Sequence, residues 1–132
     1  MPSSTTPFSI EDWEPHAVDG TGETSALGRV VFRKVYKGDD LAGTAVATML
    51  NCGQIAYTAM ERVTGTLGGR TGSFVLMHSA GPDADQPEVA TGVIVAGSGT
   101  GDLTGLTGRM EIRHGEDGPE LFLEYEHADT VS

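Results

Sequence analysis

Two glycine-punctuated phrases restrict this chain more than any other feature: Val63-Thr-Gly-Thr-Leu-Gly-Gly-Arg-Thr-Gly-Ser-Phe-Val-Leu-Met-His78 and Val95-Ala-Gly-Ser-Gly-Thr-Gly-Asp-Leu-Thr-Gly-Leu-Thr-Gly108. Glycine every two or three residues is incompatible with a stable helix, because each one costs about 1 kcal/mol relative to alanine. The flanking segments alternate instead, so both phrases read as tight connections in an all-β domain that turns back on itself repeatedly. The 19 glycines are spread through strand-like segments rather than massed in one tract, which points to turns and bulges and away from disorder.

The 132 residues suffice for one domain, 1–132, with loose ends expected at 1–7 and 128–132. Nineteen acidic against eight basic residues give a formal charge of −11, which disfavours nucleic acid or an anionic membrane surface as partner. The single cysteine, Cys52, excludes an intrachain disulfide and suits a reducing cytoplasm. The first residues lack a basic and then apolar leader, and no run approaches a membrane span. The expectation is a cytoplasmic protein, with homo-oligomerisation left open.

Along the chain, Phe8–Trp13 reads as a strand, followed by a loop from Asp19 to Ser25. Leu27–Tyr36 is a clear strand closed by Lys37-Gly-Asp-Asp40. From Leu41 to Leu50, Thr44, Val46 and Thr48 share one face while Gly43, Ala45 and Ala47 share the other, as suits a strand against a crowded neighbour. Strands over Ala56–Thr66, Ser73–His78, Val89–Ala96, Arg109–His114 and Glu120–Glu126 follow, with an exposed loop at Ser79–Glu88. Seven or eight hairpin-linked strands without a long helix fit a closed antiparallel barrel, whose interior is either packed or just wide enough for one small ligand.

Neither glycine phrase is a phosphate cradle: the second is not followed by a helix and the first lacks the Gly-Lys-Ser/Thr ending. Four scattered histidines show no metal-ligand spacing, no Gly-x-Ser-x-Gly elbow is present, and no cofactor or metal is expected. Glu61 is the sharper candidate. It shares its face with Tyr57, Ala59 and Val63, so it is either desolvated inside, with a raised pKa suited to proton transfer, or turned outward to a surface arginine. His78 shares the face of Phe74 and Leu76, either as a second proton-transfer group or as a hydrogen-bonded histidine at a barrel rim. Trp13 offers a ring to plug one barrel end with Glu14 beside it, and Tyr57 and Tyr125 are candidates to orient a ligand oxygen.

The order Trp13-Glu14, Tyr36-Lys-Gly-Asp-Asp-Leu-Ala-Gly43, Tyr57, the run Glu61 to His78, the run Gly97 to Gly108, and Leu123-Glu-Tyr125 resembles the bacterial domain of unknown function family 3224 over roughly residues 8–126. That family looks similar in fold to the allene oxide cyclase barrels, whose superfamily includes dirigent proteins and small barrels that guide cyclisations in polyketide biosynthesis. The resemblance implies an eight-stranded antiparallel barrel with an interior pocket, and it carries no activity with it. Here the acidic residue after Gly38 is doubled and the 79–88 loop is acidic with two prolines.

The expectation is a small-molecule isomerase or cyclase acting on a largely apolar substrate, with Glu61 and His78 as acid and base. Trp13, Glu14, Tyr57, Phe74 and Tyr125 are its expected binding residues. The alternatives are a carrier or sensor of a small hydrophobic ligand without chemistry, and a filled barrel used for protein interaction.

Overall fold

In the computed structural model, which describes residues 2–19, 25–84, 86 and 89–127, eight antiparallel strands follow one another in chain order and close into a barrel. They are β1 (Ser3–Ala17), β2 (Leu27–Lys37), β3 (Leu41–Cys52), β4 (Ala56–Leu67), β5 (Arg70–Ala80), β6 (Ala90–Ile94), β7 (Thr107–Gly115) and β8 (Gly118–Glu126). Each strand pairs with its two neighbours over at least part of its length, so the described sheet has no edge strand. Among the described residues no helix is long and apolar enough to cross a membrane.

The last seam corrects one expectation. Ser3–Pro7, read as a loose end, pairs with Glu124–Glu120 of β8 and seals the barrel. Its inward residues are Ser4, Thr6 and Phe8, and two small hydroxyl side chains at buried positions give the strand little apolar signature. Residues 128–132 and most of the expected Asp19–Ser25 loop lie outside the described residues.

The interior divides into two halves. Toward the β2–β3 and β4–β5 turns it is packed solid by Tyr36, Leu41, Val63, Leu67, Phe74, Leu76, Leu103, Leu106, Met110, Leu121 and Leu123. The second glycine phrase contributes to this packing as well as connecting strands. Its 3-10 turn, Gly101–Leu103, drops Leu103 and Leu106 into the core as a stopper. Because β6 has only 5 residues, the phrase also serves β5 where strand pairing ends. Val95 N–H donates to the Val75 carbonyl and Thr100 N–H to the Ser73 carbonyl, while the Ser98 and Thr100 hydroxyls accept from the amides of Val75 and Ser73. Side chains thus stand in for the missing strand partner.

Toward the other end, the buried cluster among the described residues is Val30, Phe32 and Ala47, with Met49 against it. Small residues on the facing strands leave this half unfilled.

β3 brings its neighbours close. Gly43 faces Gly65 across the β3–β4 pair, where a Cβ on either would collide with the partner strand's backbone at Thr64 or Ala42. Ala45 and Ala47 continue the same small inward face, flanked by Lys34 and Phe32 on β2 and by Val63 and Glu61 on β4. Gly65→Val should destabilise the fold by roughly 1–3 kcal/mol through this overpacking. Thr66→Val, half-buried on the opposite face, serves as the comparison, with urea denaturation as the measurement.

Candidate functional site

Where the packed half meets the empty half, three strand-borne side chains converge on one carboxylate and a fourth joins through the histidine. Glu61 of β4 points inward and is 1% exposed. Its Oε1 accepts from Lys34 Nζ at 2.8 Å and from His78 Nε2 at 2.9 Å, and its Oε2 accepts from the Tyr36 hydroxyl at 2.6 Å. Lys34 and Tyr36 sit on β2, one strand beyond β3, so their bonds cross the small face of Ala45 and Ala47. His78 sits on β5, opposite Ala59, and is therefore the diagonal inward neighbour of Glu61. The hairpin formed by the first glycine phrase creates that adjacency. Tyr57 of β4 completes the chain, its hydroxyl 2.8 Å from His78 Nδ1.

The electrostatics differ from the sequence expectation. Burial alone pushes the Glu61 carboxyl up, as anticipated, but the hydrogen bond from His78 and the charge of Lys34 together outweigh it and bring the group to about 2. Glu61 is thus a fixed anion at neutral pH. With Oε1 accepting, a neutral His78 carries its proton on Nε2, which leaves the Nδ1 lone pair to accept the Tyr57 hydroxyl proton. Burial and then the Glu61 charge raise the Tyr57 and Tyr36 phenols well above their ordinary value, so both rest protonated.

Above this group lies an inner chamber of about 330 Å³ whose lining includes Lys34, His78, Tyr57, Phe8, Phe32 and Ile112. Glu61 is beneath the floor and does not line it. The chamber opens past Trp13, Met49, Tyr57 and Ala80 into a wider vestibule of about 910 Å³ between the β1–β2 and β3–β4 ends. Of the network residues, only Tyr57 reaches both spaces.

Trp13 is a rim residue rather than a plug: it is 50% exposed and packs on Phe32 with ring centroids 5.1 Å apart. A β-bulge between Glu11 and Glu14 puts it there, with Asp12 at φ 54°, the left-handed region. The extra residue switches the inward parity of β1 from Phe8 and Ile10 to Trp13 and Pro15. Glu14 is accordingly turned out to solvent.

Two further expected binding residues also lie elsewhere. Phe74 is buried in the packed half, and Tyr125 donates to Asp40 Oδ2 at 2.6 Å near the closed end. Both occupy the inward faces of their strands, but at levels filled by neighbouring side chains. Among the described residues, no group of three or more His, Cys, Asp or Glu side chains is placed to hold a metal.

Sequence reasoning missed Lys34 and Tyr36 as site residues. The signal was their parity with Val30 and Phe32, but Val31 and Val35 make the opposite face of β2 apolar too, so the lysine could be read as a surface charge.

Removing one member of the buried ion pair strands the other: Lys34→Met should cost roughly 3–5 kcal/mol in urea denaturation, and Lys34→Met/Glu61→Gln should recover much of it. Because Glu61 is held below its ordinary 4.5, its contribution to stability is present above that value and is lost as pH falls toward about 2. Glu61→Gln should therefore flatten the acid limb of the stability profile across that window.

The match to known proteins covers the same barrel. A solved structure of a protein with unknown function from the DUF3224 family, from Shewanella oneidensis MR-1, superposes with a TM-score of 0.79 at 28% identity, covering 96% of this chain and 98% of that one. No curated protein matches the chain. The family model described as protein of unknown function (DUF3224) matches residues 4–127, from the first inward residue of β1 past the end of β8, and the chain belongs to that family.

Proposed function

We propose that the chamber takes one small, largely apolar organic molecule and that the barrel moves a proton on it, as an isomerase or cyclase does. The observation that carries this reading is the hydrogen-bonded chain Tyr57–His78–Glu61, which runs from the chamber wall to a buried anion. A purely packed interior has no use for a chain whose outer member lines an open cavity. The resemblance to allene oxide cyclase barrels supports the reading at the level of fold analogy only.

In this reading the roles differ from those expected of the sequence. Glu61 is a positioning residue: ionised and sealed below the floor, it sets the His78 tautomer and stabilises the imidazolium. A resting tyrosinate is excluded by the raised Tyr57 phenol, so Tyr57 works as a relay. It takes a proton from the substrate as it passes its own to His78 Nδ1, and the reverse transfer returns a proton at a different substrate atom. The apolar walls around Phe8, Phe32 and Ile112 hold the substrate in one orientation and keep water out.

Native mass spectrometry of the protein incubated with a small-molecule extract of its producing cells tests this. A retained molecule is expected, with its conversion to an isomer slowed about 10²-fold or more by Tyr57→Phe and by His78→Asn. A molecule retained and returned unchanged by the wild-type protein would make the barrel a carrier. Failure to retain any molecule would leave the chamber without a ligand role.

A further inference from the structure

Lys34 is a group the relay does not use. Its side chain is 2% exposed, yet of the three N–H donors on Nζ only one has an acceptor among the described residues, Oε1 of Glu61. The others meet π-faces and the chamber: Nζ lies 4.3 Å from the Phe8 ring centroid, with the Phe32 and Tyr36 rings at 5.9 and 5.8 Å. Ring faces attract a cation but do not replace a lone pair. An almost fully buried ammonium lining a cavity with donors to spare is arranged to meet an acceptor carried by the ligand.

Its position gives that acceptor a chemical meaning. Lys34 and His78 bind the same carboxylate oxygen, so the ammonium and the imidazole are adjacent at the chamber floor. An oxygen held by Lys34 places the neighbouring carbon beside the Tyr57–His78 pair.

We propose that Lys34 is an oxyanion-holding residue and that the substrate is an enolisable carbonyl compound whose oxygen sits on its ammonium. This rests on the proton-transfer reading above and names its substrate class. In the step, the substrate C–H proton passes to the Tyr57 oxygen as the Tyr57 proton passes to His78 Nδ1. The C–H electron pair forms the new C=C bond and the carbonyl π pair moves to the oxygen, whose negative charge Lys34 stabilises. Where the substrate carries a C=C bond β,γ to the carbonyl, the dienolate takes the returned proton at its γ carbon, which moves the double bond to the α,β position and restores the carbonyl, and no oxidant or reductant is consumed.

A phenolate mimics the enolate, so 4-nitrophenol is the probe, with its ionisation followed by visible absorbance and its binding by calorimetry. The bound phenol should ionise about one to three pH units lower than in solution, as an ammonium at contact distance dictates. The Lys34→Met/Glu61→Gln variant, which leaves no unpaired charge behind, should return its ionisation to the solution value, whereas Lys34→Arg should keep most of the shift. Glu61, His78, Tyr36, Tyr57 and His114 also face or adjoin the site, and Ala90→Trp, which fills the chamber, should abolish binding and so locate the probe.

A phenol that binds in the chamber but ionises as in solution, or that keeps its shift in the double variant, overturns the role of Lys34 and leaves the chamber and relay standing. A phenol that shows no binding sensitive to Ala90→Trp overturns both.

Discussion

The ion pair between Lys34 and Glu61 governs the interior of this barrel. Two opposite charges, 2.8 Å apart and each almost fully buried, are tolerable only together and only with their remaining hydrogen-bonding capacity directed. Glu61 has its capacity used by Lys34, Tyr36 and His78. The pair spans β3, so it requires that strand's inward face to be small, and Gly43, Ala45 and Ala47 supply that face. The composition of β3 and the existence of the site are one constraint seen from two strands.

The same pair marks the boundary between the two halves of the interior. On one side, large side chains and the leucine stopper from the 95–108 phrase complete a dry core that can carry the stability of the fold. On the other, Ala59, Ala80 and Ala90 replace large residues and a chamber remains. A fold stabilised at one end can leave the other end open, and a rigid floor of interlocked hydrogen bonds fixes the geometry of the groups that face it. The bulge in β1 adds the last part by turning Trp13 over the mouth.

Much of this was legible in the residues. Alternation and glycine placement gave the strands, and the hairpin between Glu61 and His78 made their adjacency a direct consequence of chain order. The apolar company of Glu61 and His78 on their strands was visible, but which face of β4 and β5 looks in is decided only by the barrel, which buries both residues. What misled was any position where parity carried no contrast: Ser4 and Thr6 hid the closing strand, and Val31 and Val35 hid the inward set of Lys34. The bulge at Asp12 shifted β1 by one residue, and a shift of one in a period of two exchanges the faces, which is why Glu14 points out and Trp13 points in. Phe74 and Tyr125 do point inward, but at a height in the barrel that neighbouring side chains fill.

Sequence alone determined the class of fold and the pairing of successive strands, because alternation and turn chemistry are local properties that each segment carries with it. Only the tertiary structure decided the charge state of Glu61, since the groups that together override its desolvation, His78 and Lys34, lie 17 and 27 positions away on other strands. It also decided which inward positions face a cavity, because depth along the barrel depends on the stagger of all eight strands at once. Local pattern fixes which side chains share a face; closure of the barrel fixes which face looks in and what each side chain meets there.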